Sequence, residues 1–252
     1  MKAMMKYVCM TTTVLFLISC AYLGKGKTEK KDMAPGIEEH FQLALAATER
    51  GNLEEAVSEY KKVLRIDPKH AKAHLNLGIA YGKQGKLKEE MTEYQRAIAI
   101  DPRFAEAYFN LGVAHYERGN LNEALAQFQK ALRINPNYVE AHNNLGNIYF
   151  RKGKMDDALY EYQKTTELKA DYARGYYNIG NVYRQKGKIE EAIASFQRAL
   201  EINPKYAEAH YALAVAYFEK QEFTLAAQHA DQAGRLGIVL DPKFLDRLKS
   251  HR

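Results

Sequence analysis

The chain has 252 residues, of which 46% are apolar and 27% charged, the balance of a folded body and not of a disordered or fibrous one. Its formal charge of +6 is mild and spread along the chain, which does not mark a nucleic-acid surface. The two cysteines, Cys9 and Cys20, both stand near the start, so the rest of the chain forms no disulfide and offers no thiolate nucleophile or metal ligand.

Lys2 and Lys6 form a short positive head, and an apolar run follows from Tyr7 to Ile18. This is the build of a secretory signal peptide. The run ends in Leu17-Ile18-Ser19-Cys20. That tetrad resembles the bacterial lipobox, in which an aliphatic, a tolerant and a small residue precede an obligatory cysteine. The resemblance implies that residues 1–19 are removed, that Cys20 is the lipidation site, and that the mature chain starts there. An uncleaved anchor helix and an ordinary secretory signal are the alternatives. The stretch Tyr7 to Leu23 is short for a membrane span and carries three threonines. Acyl chains on Cys20 would hold the protein at a membrane with about 0.8 kcal/mol per buried methylene. Ala21 follows Cys20 where an Asp would signal retention. In a two-membrane bacterium the resemblance therefore implies the outer membrane, facing the periplasm. Residues 20–36 are rich in Lys and Gly and read as a flexible tether.

From Ile37 the chain repeats every 34 residues, giving units 37–70, 71–104, 105–138, 139–172, 173–206 and a degenerate 207–240. Position 15 of the unit is Gly51, Gly85, Gly119, Gly153 and Gly187; position 32 is Pro68, Pro102, Pro136 and Pro204. Glycine suits the left-handed residue past a helix end, and proline stops a helix, so each unit reads as helix, turn, helix, break. Positions 4, 7, 8 and 11 share one stripe of the first helix. Position 7 is Leu or Ile throughout, and position 8 is Ala44, Gly78, Gly112, Gly146, Gly180 and Ala214. In the second helix, position 20 is Ala in five units and position 24 is Tyr or Phe in five.

These slots resemble the tetratricopeptide repeat (TPR) family, over Ile37 to about Leu236. The resemblance implies an all-α fold: a right-handed superhelix of about six helix-turn-helix repeats whose first helices line a concave groove. Residues 241–252 have Phe244, Leu245 and Leu248 on one side and read as a C-terminal capping helix. Departures from the pattern are Glu90 in the Ala slot, Ala170 in the Pro slot, Gln221 in the Gly slot and Ala230 in the aromatic slot.

The groove-side slots supply the candidate binding residues. Position 6 carries Asn76, Asn110, Asn144 and Asn178, and position 9 adds Asn147 and Asn181. Asparagine is a mediocre helix former, so a row of it asks for another reason. Its amide donates and accepts together, which suits holding a peptide backbone whatever its side chains. A similar Asn ladder lines the TPR stretch of O-linked N-acetylglucosamine transferase. Asn is also common in this slot of near-consensus repeats. Beside the ladder stand Phe109, Asn143, Tyr177 and Tyr211 at position 5, and Tyr116, Phe150 and Arg184 at position 12. The carboxylate clamp of chaperone-binding TPR proteins does not carry over, because Glu208 and Ala212 replace its basic residues.

His74, His142 and His210 share position 4 and read as a packing slot, too far apart to share a metal. No metal site, cofactor or catalytic constellation is expected, and the protein does not read as an enzyme. The expected role is a membrane-anchored scaffold that binds a protein or peptide partner in its groove for assembly of an envelope complex, with no nucleic acid. The alternative is a self-assembling protein whose groove takes another copy's terminal helix.

Overall fold

A computed structural model of the chain describes residues 36–250. The signal peptide, Cys20 and the tether before Gly36 lie outside the described residues. The expectation of an all-α solenoid holds: the described residues form thirteen helices and no strand. The first unit is α1 (Ile37–Glu49) and α2 (Leu53–Ile66); the second is α3 (Ala71–Lys83) and α4 (Leu87–Ile100). Next come α5 (Ala105–Glu117) with α6 (Leu121–Ile134), and α7 (Val139–Arg151) with α8 (Met155–Leu168). The fifth unit is α9 (Ala173–Gln185) and α10 (Ile189–Ile202), the sixth α11 (Ala207–Glu219) and α12 (Phe223–Arg235), and α13 (Pro242–Lys249) follows. Each helix packs on its neighbours in the chain, and α3 also meets α5, as α9 meets α11.

The turns explain the boundaries. Gly119 has φ 78°, and the N–H of Asn120 reaches back to the carbonyl of His115 at 3.0 Å, closing the helix end. Gln221 takes the same role in the sixth unit at φ 65°, with Glu222 N–H bonded to Tyr217 O at 2.9 Å. After the second helices, the side chains of Asp67, Asp101, Asn135 and Asn203 accept the N–H two residues on. That bond and the following proline set the break between units. Ala170 replaces the proline without changing the turn, since Tyr172 N–H still bonds Lys169 O at 3.1 Å.

The core is built from a ring against a glycine. A Cβ on Gly112 would lie 2.7 Å from the ring of Phe128, and one on Gly180 2.5 Å from Phe196. The absence of that atom lets paired helices approach closely. In the sixth unit the ring is missing, and Ala214 faces the small Ala230 instead; both are fully buried. Leu43, at position 7 of the first unit, is 43% exposed where its five counterparts are buried, because among the described residues no helix pair lies before it.

The position 4 histidines do more than pack. Nδ1 of His74 donates to Glu93 at 2.6 Å and Nδ1 of His142 to Glu161 at 2.6 Å, tying first helix to second. Their Nε2 atoms face the carbonyls of Pro68 and Pro136, at 3.1 and 2.9 Å. His40 and Glu59 make the same pair in the first unit. In the sixth unit the partner is another histidine, His229, at 3.0 Å.

At the end of the array α13 closes the last unit. Asp241 caps it by accepting from Lys243 N–H at 3.0 Å, and Pro242 starts it. Phe244 and Leu248 are buried, with Phe244 edge-on to Tyr211 and Phe218. The apolar face of this helix is thus spent on its own chain.

Candidate functional site

The first helices bring several of the expected groove residues to one place. Tyr116, Asn147, Phe150, Asn178 and Asn181 line a cavity of about 290 Å³ together with Arg151 and Tyr162. Tyr162 donates its hydroxyl to Asn147 Oδ1 at 2.8 Å, which fixes that amide and leaves its NH₂ with a long 3.5 Å contact to Asn144 Oδ1. Arg151 lies over the ring of Tyr116, 5.3 Å from its centre. Amides and aromatic faces therefore converge on one concave surface, the combination that holds an extended chain by its backbone and packs its side chains.

Asn110 lines a second cavity, of about 280 Å³, with Ile79, Val113, Gly82, Lys83, Leu87, Glu90, Tyr94 and Glu117. Its NH₂ bonds the carbonyl of Glu106 at 2.8 Å, one turn back on the same helix, which leaves its carbonyl for a ligand. Asn147 and Asn144 approach at 3.5 Å, a weak contact. Asn76 and Asn181 are half-buried.

Other expected groove residues are engaged by the protein itself. Asn143 is only 4% exposed and accepts from Asn178 Nδ2 at 2.9 Å, so it faces the seam between units and not the open groove. The helical register explains this: position 5 turns toward the next unit. Phe109 and Tyr177, also at position 5, are half-buried there. Phe109 lies 4.8 Å from the ring of Tyr138, and Tyr177 5.2 Å from that of Tyr206. Tyr211 is covered by Phe244 of α13. Arg184 pairs with Glu219 at 3.2 Å, joining α9 to α11 across adjacent units.

A residue missed in this connection is Gly82, at position 12 beside Glu90. Sequence reasoning flagged Glu90 alone. The signal was present, because the other five units carry Thr48, Tyr116, Phe150, Arg184 and Phe218 in that slot.

A larger cavity, about 680 Å³, opens between α2 and α4, away from the asparagines. Its walls are mainly Leu64, Pro68, Leu77, Tyr81 and Ile100, without converging amides. The asparagine amides stand instead at the smaller groove cavities. Among the described residues, no three His, Cys, Asp or Glu side chains are placed to hold a metal ion. Among the same residues, no helix is long and apolar enough to cross a membrane.

The TPR repeat family matches the chain over residues 44–85, 83–119, 114–153, 146–183 and 180–221. Among solved structures, MamA protein is 31% identical, over 70% of this chain and 96% of its own, with a TM-score of 0.59. PilF of Pseudomonas aeruginosa has a TM-score of 0.75 at 21% identity, over 86% of this chain and 98% of its own. YrrB, described as a TPR protein with an unusual peptide-binding site, has a TM-score of 0.62 at 22% identity, over 76% of this chain and 97% of its own. At that identity PilF and YrrB share the fold alone. No curated protein matches the chain. Repeat spacing, the glycine-ring core and the family match together place this chain in the TPR repeat family.

Proposed function

We propose that this protein is a lipid-anchored, non-enzymatic adaptor that holds an extended segment of a partner protein along its concave face. The observation that carries the reading is the cavity where Asn147, Asn178 and Asn181 meet Tyr116 and Phe150. Amides there can grip a backbone, and the rings beside them give side chains an apolar wall. TPR folds serve as interaction scaffolds, and the peptide-binding site named for YrrB supports a peptide ligand here. Cys20, in its lipobox-like setting, would fix the scaffold to a membrane, so that the partner is an envelope protein. The terminal helix of a second copy fits less well as ligand, because Phe244 and Leu248 of α13 are already buried in their own unit.

The test is capture from an envelope extract by a soluble chain beginning at Lys25, compared with Asn110→Ala/Asn144→Ala/Asn181→Ala. The variant should fold, by circular dichroism, and lose its partners. A folded variant that captures the same partners at the same level would remove Asn110, Asn144 and Asn181 from the mechanism.

A further inference from the structure

Two departures from the repeat occur in the same unit and fit each other. Glu90 of α4 stands where the other units have a fully buried Ala, and Gly82 of α3 stands where Tyr116, Phe150 and Phe218 project elsewhere. A Cβ on Gly82 would lie 2.6 Å from Glu90 Oε1 and 2.8 Å from its Cδ. The carboxylate therefore occupies space that a side chain at position 12 takes in the other units. It faces the groove cavity of about 280 Å³ that Asn110 also lines.

Glu90 as a residue is 8% exposed. Among the described residues its hydrogen bond comes from Tyr94 Oη at 3.3 Å, on its own helix, and no cation lies within 4.0 Å of it. The charges around it are few. Glu117 on α5 and Lys83 on α3 line the same cavity, and both are exposed. Arg118 acts on Glu90 from a distance, but its guanidinium is turned to the sulfur of Met91. Burial pushes the Glu90 carboxyl above the usual carboxylate range, and the Tyr94 hydroxyl only partly offsets this. A buried carboxylate without a cation costs stability, whereas one that meets an ammonium or guanidinium gains a charge-assisted bond.

We propose that the stretch of groove between α3 and α5 is a specificity subsite for a lysine or arginine side chain of the bound segment. Glu90 receives the cation at the floor, Glu117 adds negative charge at the rim, and Asn110 holds the adjoining backbone. Ile79 and Val113 flank the aliphatic stem of the inserted side chain. This assignment rests on the groove reading given above.

The test is selection of phage-displayed random dodecapeptides on the full chain, on Glu90→Gln, on Gly82→Phe/Glu90→Ala, and on the triple asparagine variant. On the native chain, peptides lost by the asparagine variant should carry Lys or Arg at one fixed register. A synthetic peptide of that class should bind Glu90→Gln about tenfold to a hundredfold more weakly. Replacing its basic residue by Gln should then cost little more on that variant. The Gly82→Phe/Glu90→Ala chain, which restores the pattern of the other units, should lose the basic preference and keep its fold. Peptides that need the asparagines but show no basic register, or that bind Glu90→Gln undiminished, overturn the subsite and leave the groove standing. Failure to select any peptide that the asparagine variant loses overturns both.

Discussion

Asn178 of α9 donates to Asn143 of α7 at 2.9 Å, a bond between side chains of successive units. Asn143 is 4% exposed, so without Asn178 its carbonyl has water on hardly any side. Leaving such a group unpaired costs about 1–3 kcal/mol. Alanine recovers up to about 0.7 kcal/mol in helix propensity. Asn178→Ala should therefore lower unfolding free energy by about 1 kcal/mol in a urea titration. Asn181→Ala should leave it level or raise it. Equal values for the two would mean that the Asn178 bond adds nothing to the folded state.

Glu90 should show itself in the pH dependence of stability. Its folded pKa is raised above the ordinary 4.5, by burial first. A raised carboxyl contributes stability that is complete below the unfolded value and is lost as pH rises through the folded value. Glu90→Gln should thus differ little from the native chain at pH 4. At pH 8 it should be more stable by about 1 kcal/mol, the low end of the cost of an unsatisfied buried group. A gain that is the same at both pH values would place its origin outside ionisation.

Gln221 carries the left-handed turn of the sixth unit at φ 65°, where the other five units use glycine. The Cβ clash in that region costs roughly 1–2 kcal/mol, against about 0.5–1 kcal/mol of extra chain entropy lost by glycine. Gln221→Gly should raise stability by a net of about 0.5–1 kcal/mol and with it the melting temperature, and Gly119→Gln should lower both. Scanning calorimetry of the two variants is sufficient, and a destabilised Gln221→Gly would mean that the side chain makes a contact worth more than the strain.

Cys20→Ser addresses the anchor. If the lipobox-like tetrad is processed as proposed, the variant should either leave the membrane fraction or accumulate as an unprocessed precursor on a gel. Normal processing together with unchanged membrane fractionation would exclude lipidation at this residue.

Much of the fold was legible because it depends on small local rules repeated. Gly119 and its equivalents end first helices, Pro136 and its equivalents break the chain, and Phe244 with Leu248 reads as a cap at the level of single residues. The groove was only partly legible. A helical wheel drawn for one unit places position 5 on the groove flank, but the next unit covers that slot, so Asn143, Phe109 and Tyr177 turn into the seam. Complementarity between Glu90 and Gly82 needed the distance between two helices, although both departures stood in the sequence. The pairs His40–Glu59, His74–Glu93 and His142–Glu161 recur at a spacing of 19 and were open to a search that compared two slots at once.

Those pairs have a further consequence, because the sixth unit reverses them. For His142, burial opposes the charged ring, but the Glu161 carboxylate and the Pro136 carbonyl outweigh it and raise its pKa above the ordinary 6.5. Its contribution is complete below that value and fades as pH rises through the folded pKa. For His229, burial first and then His210 lower the pKa, so its contribution is present above 6.5 and fades as pH falls. Acidification from neutral therefore tightens the fourth unit while it loosens the sixth, where the glycine turn and the core ring are already missing. In a solenoid, where each unit is held by its neighbours, such opposed responses make local stability differ from unit to unit as pH changes. Amide exchange in mild acid would rise in α12, which carries His229, relative to α7, which carries His142.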